Sequence, residues 1–157
     1  MKKCSVIKDL SPEVFVKLMV LILYWQYEPV KKDSVFRCGV VTVRDITKIL
    51  TSIGLITDYQ AKTIRSPVDG VNYRAAIQRY SGIYTNGAQE LNNCSWLIYN
   101  QYSKSAYQSI TPQSFITSRL FGLTELGAEK ASTFVEIFSH YGLTKEVCLE
   151  MKFQTSL

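Results

Sequence analysis

The sequence predicts a mostly helical α+β domain with a small antiparallel sheet. Three observations lead there. Several segments repeat apolar residues at helical spacing behind recognisable N-caps, and two short runs rich in β-forming residues come late in the chain, separated by a hydroxyl-rich loop. The composition, 46% hydrophobic and 20% charged over 157 residues, is that of one globular domain long enough to bury a core without staples.

The first helix carries the clearest signals. Ser11 is an N-cap, Pro12 takes the first helical position, where its missing N–H costs nothing, and Leu10 is placed to staple onto Phe15. The helix is expected to run from 12 to about 27, before Pro29. Its apolar residues between Val14 and Trp25 cover nearly every face, so it must be buried, either in the core, which is favoured, or against a second subunit.

After the polar turn 31–34, Val35 to Val41 reads as a short extended run. Thr42 then caps a compact helix with Val43, Ile46, Ile49, Leu50 and Ile53 on one face and Arg44, Asp45 and Lys48 on the other, ended by Gly54. A polar helix is expected over 58–65, stopping before Pro67. The turn 67–70 leads into a third short helix over 71–80, with Ala75, Ala76 and Tyr80 expected inward and Tyr73, Arg74, Gln78 and Arg79 outward.

Trp96 to Tyr102 and Ser118 to Leu123 are the two late strands. The loop from Ser103 to Thr117 between them is long for a hairpin, and loops of that kind usually carry function or move. Thr124 caps the last long helix, in which Leu126, Ala131, Phe134, Val135, Phe138 and Tyr141 recur at helical spacing and Gly142 closes the run. A further short helix fits 143–151.

Charge is distributed unevenly. Residues 1–58 hold nine basic and six acidic side chains, 59–122 six and two, and 123–157 three and five, within a net charge of +5. A basic middle with an acidic helical end suits a surface that faces a polyanion, although an ordinary solvated basic surface gives the same totals. Cys4, Cys38, Cys94 and Cys148 form no C-x-x-C pair, so they are read as reduced, mostly buried thiols rather than a zinc or redox motif, with a disulfide across a dimer, through Cys4 or Cys148 in particular, left open by the spacing. The apolar run 14–25 is read as a buried helix, not a signal or membrane segment: Asp9 and Glu13 precede it, Lys17 interrupts it, and a span needs about 18 clean apolar residues. The expected location is therefore the cytoplasm.

Two segments carry a family resemblance. Arg119-Leu120-Phe121-Gly122-Leu123-Thr124-Glu125-Leu126-Gly127-Ala128-Glu129-Lys130-Ala131 resembles the passage in winged helix-turn-helix transcriptional regulators where the second wing strand hands over to the C-terminal helix. Val41-Thr42-Val43-Arg44-Asp45-Ile46-Thr47-Lys48-Ile49-Leu50 is similar to their strand-to-helix passage. The resemblance implies one winged-helix-like domain over 1–157: a buried or dimer-forming helix in 1–30, a reading unit and wing in 42–124, and C-terminal helices in 124–152.

It also implies sequence-specific binding of double-stranded DNA by a homodimeric transcriptional regulator, paired through the helices at 12–27 and 124–141, with no cofactor and no membrane. The stretch between Leu50 and Tyr73 is longer than usual, so either 58–65 or 71–80 is the recognition helix. The second is preferred, since it carries two arginines and a glutamine. Tyr73, Arg74, Gln78 and Arg79 would then enter or flank the major groove, Lys62 and Arg65 would contact phosphates, and Lys104 would lie on the wing.

Two other function classes compete. A divalent-metal-dependent nuclease needs converging carboxylates to hold Mg or Mn at the scissile phosphate, and Asp58, Asp69 and Glu90 are the candidates in or beside the basic middle. A structural or protein-interaction module without nucleic-acid binding would use the ten tyrosines and two tryptophans as an aromatic interface. No nucleophile elbow, P-loop, dinucleotide fingerprint, zinc-protease helix or calcium loop occurs, and the single histidine, His140, reads as a helix-end residue.

Overall fold

The apolar helix sits at the centre of the molecule. The computed structural model describes residues 4–26, 37–83, 89–99 and 111–150. Within them the order is α1 (Pro12–Gln26), β1 (Arg37–Val41), α2 (Val43–Ser52), α3 (Asp58–Arg65), α4 (Val71–Ser81), β2 (Leu97–Tyr99), α5 (Pro112–Thr117), β3 (Phe121–Leu123), α6 (Glu125–Ser139) and α7 (Lys145–Glu150). The class is α+β, mostly helical with a small antiparallel sheet.

Every residue of α1 from Phe15 to Leu23 except Lys17 is buried, because α4, α6, α7 and β3 pack around it. That resolves the choice left by its all-round apolar pattern. The helix is core of its own chain, with only Tyr24 and Trp25 half-buried near its C-terminal end. There Gln26, buried, donates its side-chain amide to the Cys148 carbonyl at 2.6 Å and fastens α7 over the helix end. No helix among the described residues is long and apolar enough to cross a membrane.

The sheet has three strands in the order β1-β3-β2, both pairings antiparallel. Leu97 faces Leu123 and Tyr99 faces Phe121, while the β1–β3 register shifts between Arg37 and Val41. The central strand β3 is buried throughout and runs straight into α6. Thr124 makes the junction: its hydroxyl accepts from the Gly127 N–H at 2.9 Å as an N-cap and donates to the Ser95 carbonyl at 2.6 Å. Gly127 is required by close approach, since a Cβ there would lie 2.1 Å from the Trp96 carbonyl oxygen. The Thr-Glu-Leu-Gly sequence thus bolts the start of β2 to the start of α6.

Capping boxes begin α2 and α3. Thr42 pairs with Asp45, and Thr57 with Gln60, each side chain bonding the other's backbone N–H. Gln60 also donates to the Ile7 carbonyl at 2.9 Å, and the extended segment 4–7 bonds Ile53, Leu55 and Tyr141 through its backbone. This strap ties the α2–α3 turn to the end of α6.

One expected loop is partly a helix. The second half of the 103–117 segment forms α5, capped by Thr111 with Pro112 at its start, and buries Phe115 and Ile116 in packing that reaches α2. The signal is the same cap-plus-proline pair that marks α1 at Ser11-Pro12, followed by two apolar residues with no strand to belong to. β3 is accordingly shorter than expected, beginning at Phe121, not Ser118. Residues 100–110, which hold the expected wing tip and Lys104, lie outside the described residues.

Candidate nucleic-acid interface

The basic candidates cluster on α3 and α4, which are joined by the tight turn 66–70. Gly70 bonds Ser66 through its N–H, and a Cβ on it would fall 2.2 Å from the Ile64 carbonyl oxygen, so only glycine lets α4 start this close to α3. Ser66 accepts from the N–H groups of Val68 and Asp69 through its hydroxyl. Arg74 completes the turn. Its guanidinium donates to the Ser66 carbonyl at 2.9 Å and to the Pro67 carbonyl at 2.7 Å. Two of its donors are therefore spent on the chain's own backbone.

The inward face of α4 is rotated from the one the sequence suggested. Ile77, Tyr80 and Ser81 are buried and Tyr73 half-buried, whereas Ala75 is exposed and Ala76 half-buried. The anchor is Ile77: spacings of four before and three or four after it give 73, 77, 80 and 81 as one stripe. Tyr73 packs edge-on against Phe15, with ring centroids 5.9 Å apart, and donates its hydroxyl to the Leu10 carbonyl at 2.5 Å. Burial pushes its phenol pKa up. Tyr73 thus locks α4 onto the start of α1 and does not project outward as expected.

Tyr80 is the other lock. Its ring stacks on Trp96 at 4.0 Å, Trp96 in turn meets Phe134 at 5.5 Å, and its hydroxyl donates to Glu13 at 3.1 Å. Burial first, and then the Glu13 hydrogen bond, raise its pKa. One aromatic file therefore connects α4, the start of β2 and α6. Gly82, in the left-handed conformation at φ 64°, ends α4 and passes the chain on.

Of the remaining sequence candidates, Arg79 is exposed and lies over the Tyr80 ring at 5.4 Å. Lys62 is exposed on α3, and Arg65 is half-buried, its Nε donating to the Ala61 carbonyl at 3.3 Å. Gln78 is half-buried, and its carbonyl accepts from Gly82 and Ile83 as α4 closes. The outer face of α4 consists of Val71, Asn72, Ala75 and Arg79. A search led by charge passes over Asn72 and Ala75; placing Ile77 inward would have exposed both.

Ala75, Ala76, Arg79 and Tyr80 line an open cleft of about 430 Å³ with Ser11, Pro12 and Glu13 of the α1 start. Glu13 gives this side of α4 an acidic neighbour, so a phosphate is better accommodated on the α3 side, where Lys62 stands clear.

The carboxylates of the nuclease reading lie on separate segments. Asp58 is the first residue of α3, Asp69 is in the α3–α4 turn, Glu90 follows α4, and all three are exposed. Among the described residues no three His, Cys, Asp or Glu side chains group so as to hold a metal ion. Asp58 instead suits the positive end of the α3 dipole. His140 is exposed at the C-cap of α6. Of the thiols, Cys148 is buried, Cys4 half-buried and Cys94 exposed, the last against the expectation of mostly buried cysteines.

Comparison of the chain with protein-family models, with curated proteins and with solved structures finds no match.

Proposed function

We propose that this chain is a winged helix-turn-helix protein that binds double-stranded DNA, with α4 as the helix that enters the major groove and the β2–β3 connection as the wing. The observation that carries the reading is the order of parts around the sheet. Three consecutive helices joined by short turns precede β2, from which the segment 82–96 separates α4, β2 pairs antiparallel with β3, and β1, from before the helices, pairs with the other edge of β3. That arrangement sets a helix with a free outer face beside an antiparallel pair, the two parts such a domain lays on adjacent stretches of duplex. The basic excess of residues 59–122 supports it.

Within this reading the roles divide differently from the charge-led expectation. Arg79 and Lys62 are the DNA contacts best supported by exposure. Arg65 contributes from the C-terminal turn of α3, while Tyr73 and Arg74 position α4 rather than touch the duplex. The protein acts as a transcriptional regulator and a homodimer in the cytoplasm. Since α1 spends its apolar surface within its own chain, pairing falls chiefly to α6.

A salt-titrated mobility shift on duplex DNA tests the reading. Affinity falls with salt at about −0.9 in log–log slope per phosphate neutralised, and Lys62→Ala lowers that slope by about one. Absence of any shift at low salt rejects DNA binding.

A further inference from the structure

The cleft beside the start of α1 holds two opposite charges that do not pair with each other. Glu13 of α1 and Arg79 of α4 both line it, both are exposed, and neither has an ion-pair partner among the described residues. One ring sets them both. The Tyr80 hydroxyl donates to a Glu13 carboxylate oxygen at 3.1 Å, and the Arg79 guanidinium lies over the same ring, 5.4 Å from its centre. Tyr80 is itself buried and stacked on Trp96 at 4.0 Å, so packing holds the ring in place. Arg74 spends two donors on backbone carbonyls, whereas the guanidinium of Arg79 makes no hydrogen bond among the described residues.

We propose that this cleft binds a free amino acid with an apolar side chain, its carboxylate on Arg79 and its ammonium on Glu13. The inference goes beyond the DNA-binding reading and does not depend on it. A guanidinium fork matches the two oxygens of a carboxylate, and the Glu13 carboxylate keeps acceptor sites beyond the one that takes the Tyr80 hydroxyl. Between the two charges, Pro12, Ala75, Ala76 and the Tyr80 ring form an apolar wall for the ligand's side chain. The volume of about 430 Å³ falls within the range of about 300–1,000 Å³ usual for small-molecule sites.

The charge pair selects the class of ligand. A simple anion drawn to Arg79 is repelled by Glu13, and a simple cation drawn to Glu13 is repelled by Arg79, so a molecule carrying both charges is favoured over either. Each residue added to a peptide moves its two terminal charges apart by up to ~3.3–3.6 Å, whereas Glu13 and Arg79 are both held by one tyrosine ring. That favours a single amino acid over a peptide. Arg79 is also the α4 side chain assigned to the duplex above, so a bound amino acid and DNA draw on the same guanidinium.

The test is an NMR titration of the full chain, with backbone amide shifts followed as L-alanine, L-valine, L-leucine and L-phenylalanine are added separately to millimolar concentration. At least one of them is expected to move the Ala75, Ala76 and Arg79 amides saturably. N-acetylation of that amino acid removes its ammonium and amidation removes its carboxylate, and each should weaken binding about tenfold. Glu13→Gln keeps an acceptor for the Tyr80 hydroxyl; it should weaken the free amino acid and leave the acetylated form unchanged. Arg79→Gln should weaken the free amino acid and leave the amidated form unchanged, and amide signals away from the cleft report that both variants fold. No saturable shift with any of the four overturns the proposal, as does equal affinity for the acetylated and amidated forms or binding that both variants retain. None of these outcomes bears on DNA binding, which the mobility shift reads separately.

Discussion

Arg74 shows how little a residue's type says about its task. An arginine on a helix in the basic middle of the sequence invites a DNA role, yet its two carbonyl acceptors at Ser66 and Pro67 make it the clasp of the α3–α4 turn. Removing it by Arg74→Ala should cost about 1–2 kcal/mol in urea unfolding, the range for partly exposed bonds to a charged donor, while, under the proposed DNA binding, the salt dependence of affinity stays as in the wild type. A slope reduced by one with unchanged stability would make Arg74 a phosphate contact instead. Cys148 offers a second residue-scale prediction. Burial raises its thiol from 9.0 to about 11, with the Gln26 hydrogen bond acting the other way. Because the folded value lies above the unfolded one, the stability tied to the neutral thiol is complete below about pH 9 and is lost as pH rises toward 11. Urea midpoints followed from pH 7 to 11 should therefore fall more steeply for the wild type than for Cys148→Ala. Exposed Cys94 should also react with a thiol reagent before buried Cys148 does.

The caps differ in consequence although they share a residue type. Thr42 and Thr57 each close a capping box on a single helix, and loss of a threonine cap typically costs about 1 kcal/mol. Thr124 also holds the Ser95 carbonyl, and it is buried. Thr124→Ala leaves that carbonyl without its donor, adding roughly 1–3 kcal/mol. Denaturation of the two alanine variants should accordingly show Thr124→Ala well below Thr57→Ala, and equal losses would mean that the β2–α6 bolt contributes nothing. The junction residues Thr124 and Glu125 were readable as a cap and a first-turn acid. The reason for Gly127 was not, because the Trp96 carbonyl that excludes a side chain there comes from 31 positions away.

At the scale of the whole molecule, α1 organises everything else. A helix apolar on all sides serves a small domain only when other elements surround it, and α4, α6, α7 and β3 do so. An aromatic file, Tyr80 to Trp96 to Phe134, then links α4 to the sheet and to α6, so a displacement of α4 is felt at α6 through packed rings. α6 turns a mostly polar outer face to solvent but leaves Ile137 46% exposed. If subunits pair there, Ile137→Lys shifts the chain from dimer to monomer in sedimentation equilibrium at micromolar concentration. A variant that sediments as the wild-type dimer moves the pairing surface elsewhere.

The sequence by itself determined the α+β class, the start of each major helix and the burial of α1. These follow from interactions within a few residues: a threonine or serine cap, a proline at the first helical position, an apolar period of 3.6. The same local signal stands at Thr111-Pro112, where α5 forms within the segment expected to be a loop between two strands. The tertiary structure alone decided which face of α4 turns outward, that Tyr73 and Arg74 serve the fold, and that Asp58, Asp69 and Glu90 stay apart. Those outcomes depend on what lies across the interface, on the rings of Phe15 and Trp96 and the carbonyls of Leu10, Ser66 and Pro67. With Ala75, Ala76 and four aromatic or cationic neighbours on one short helix, periodicity leaves several faces nearly equivalent, and only the packing partner breaks the tie.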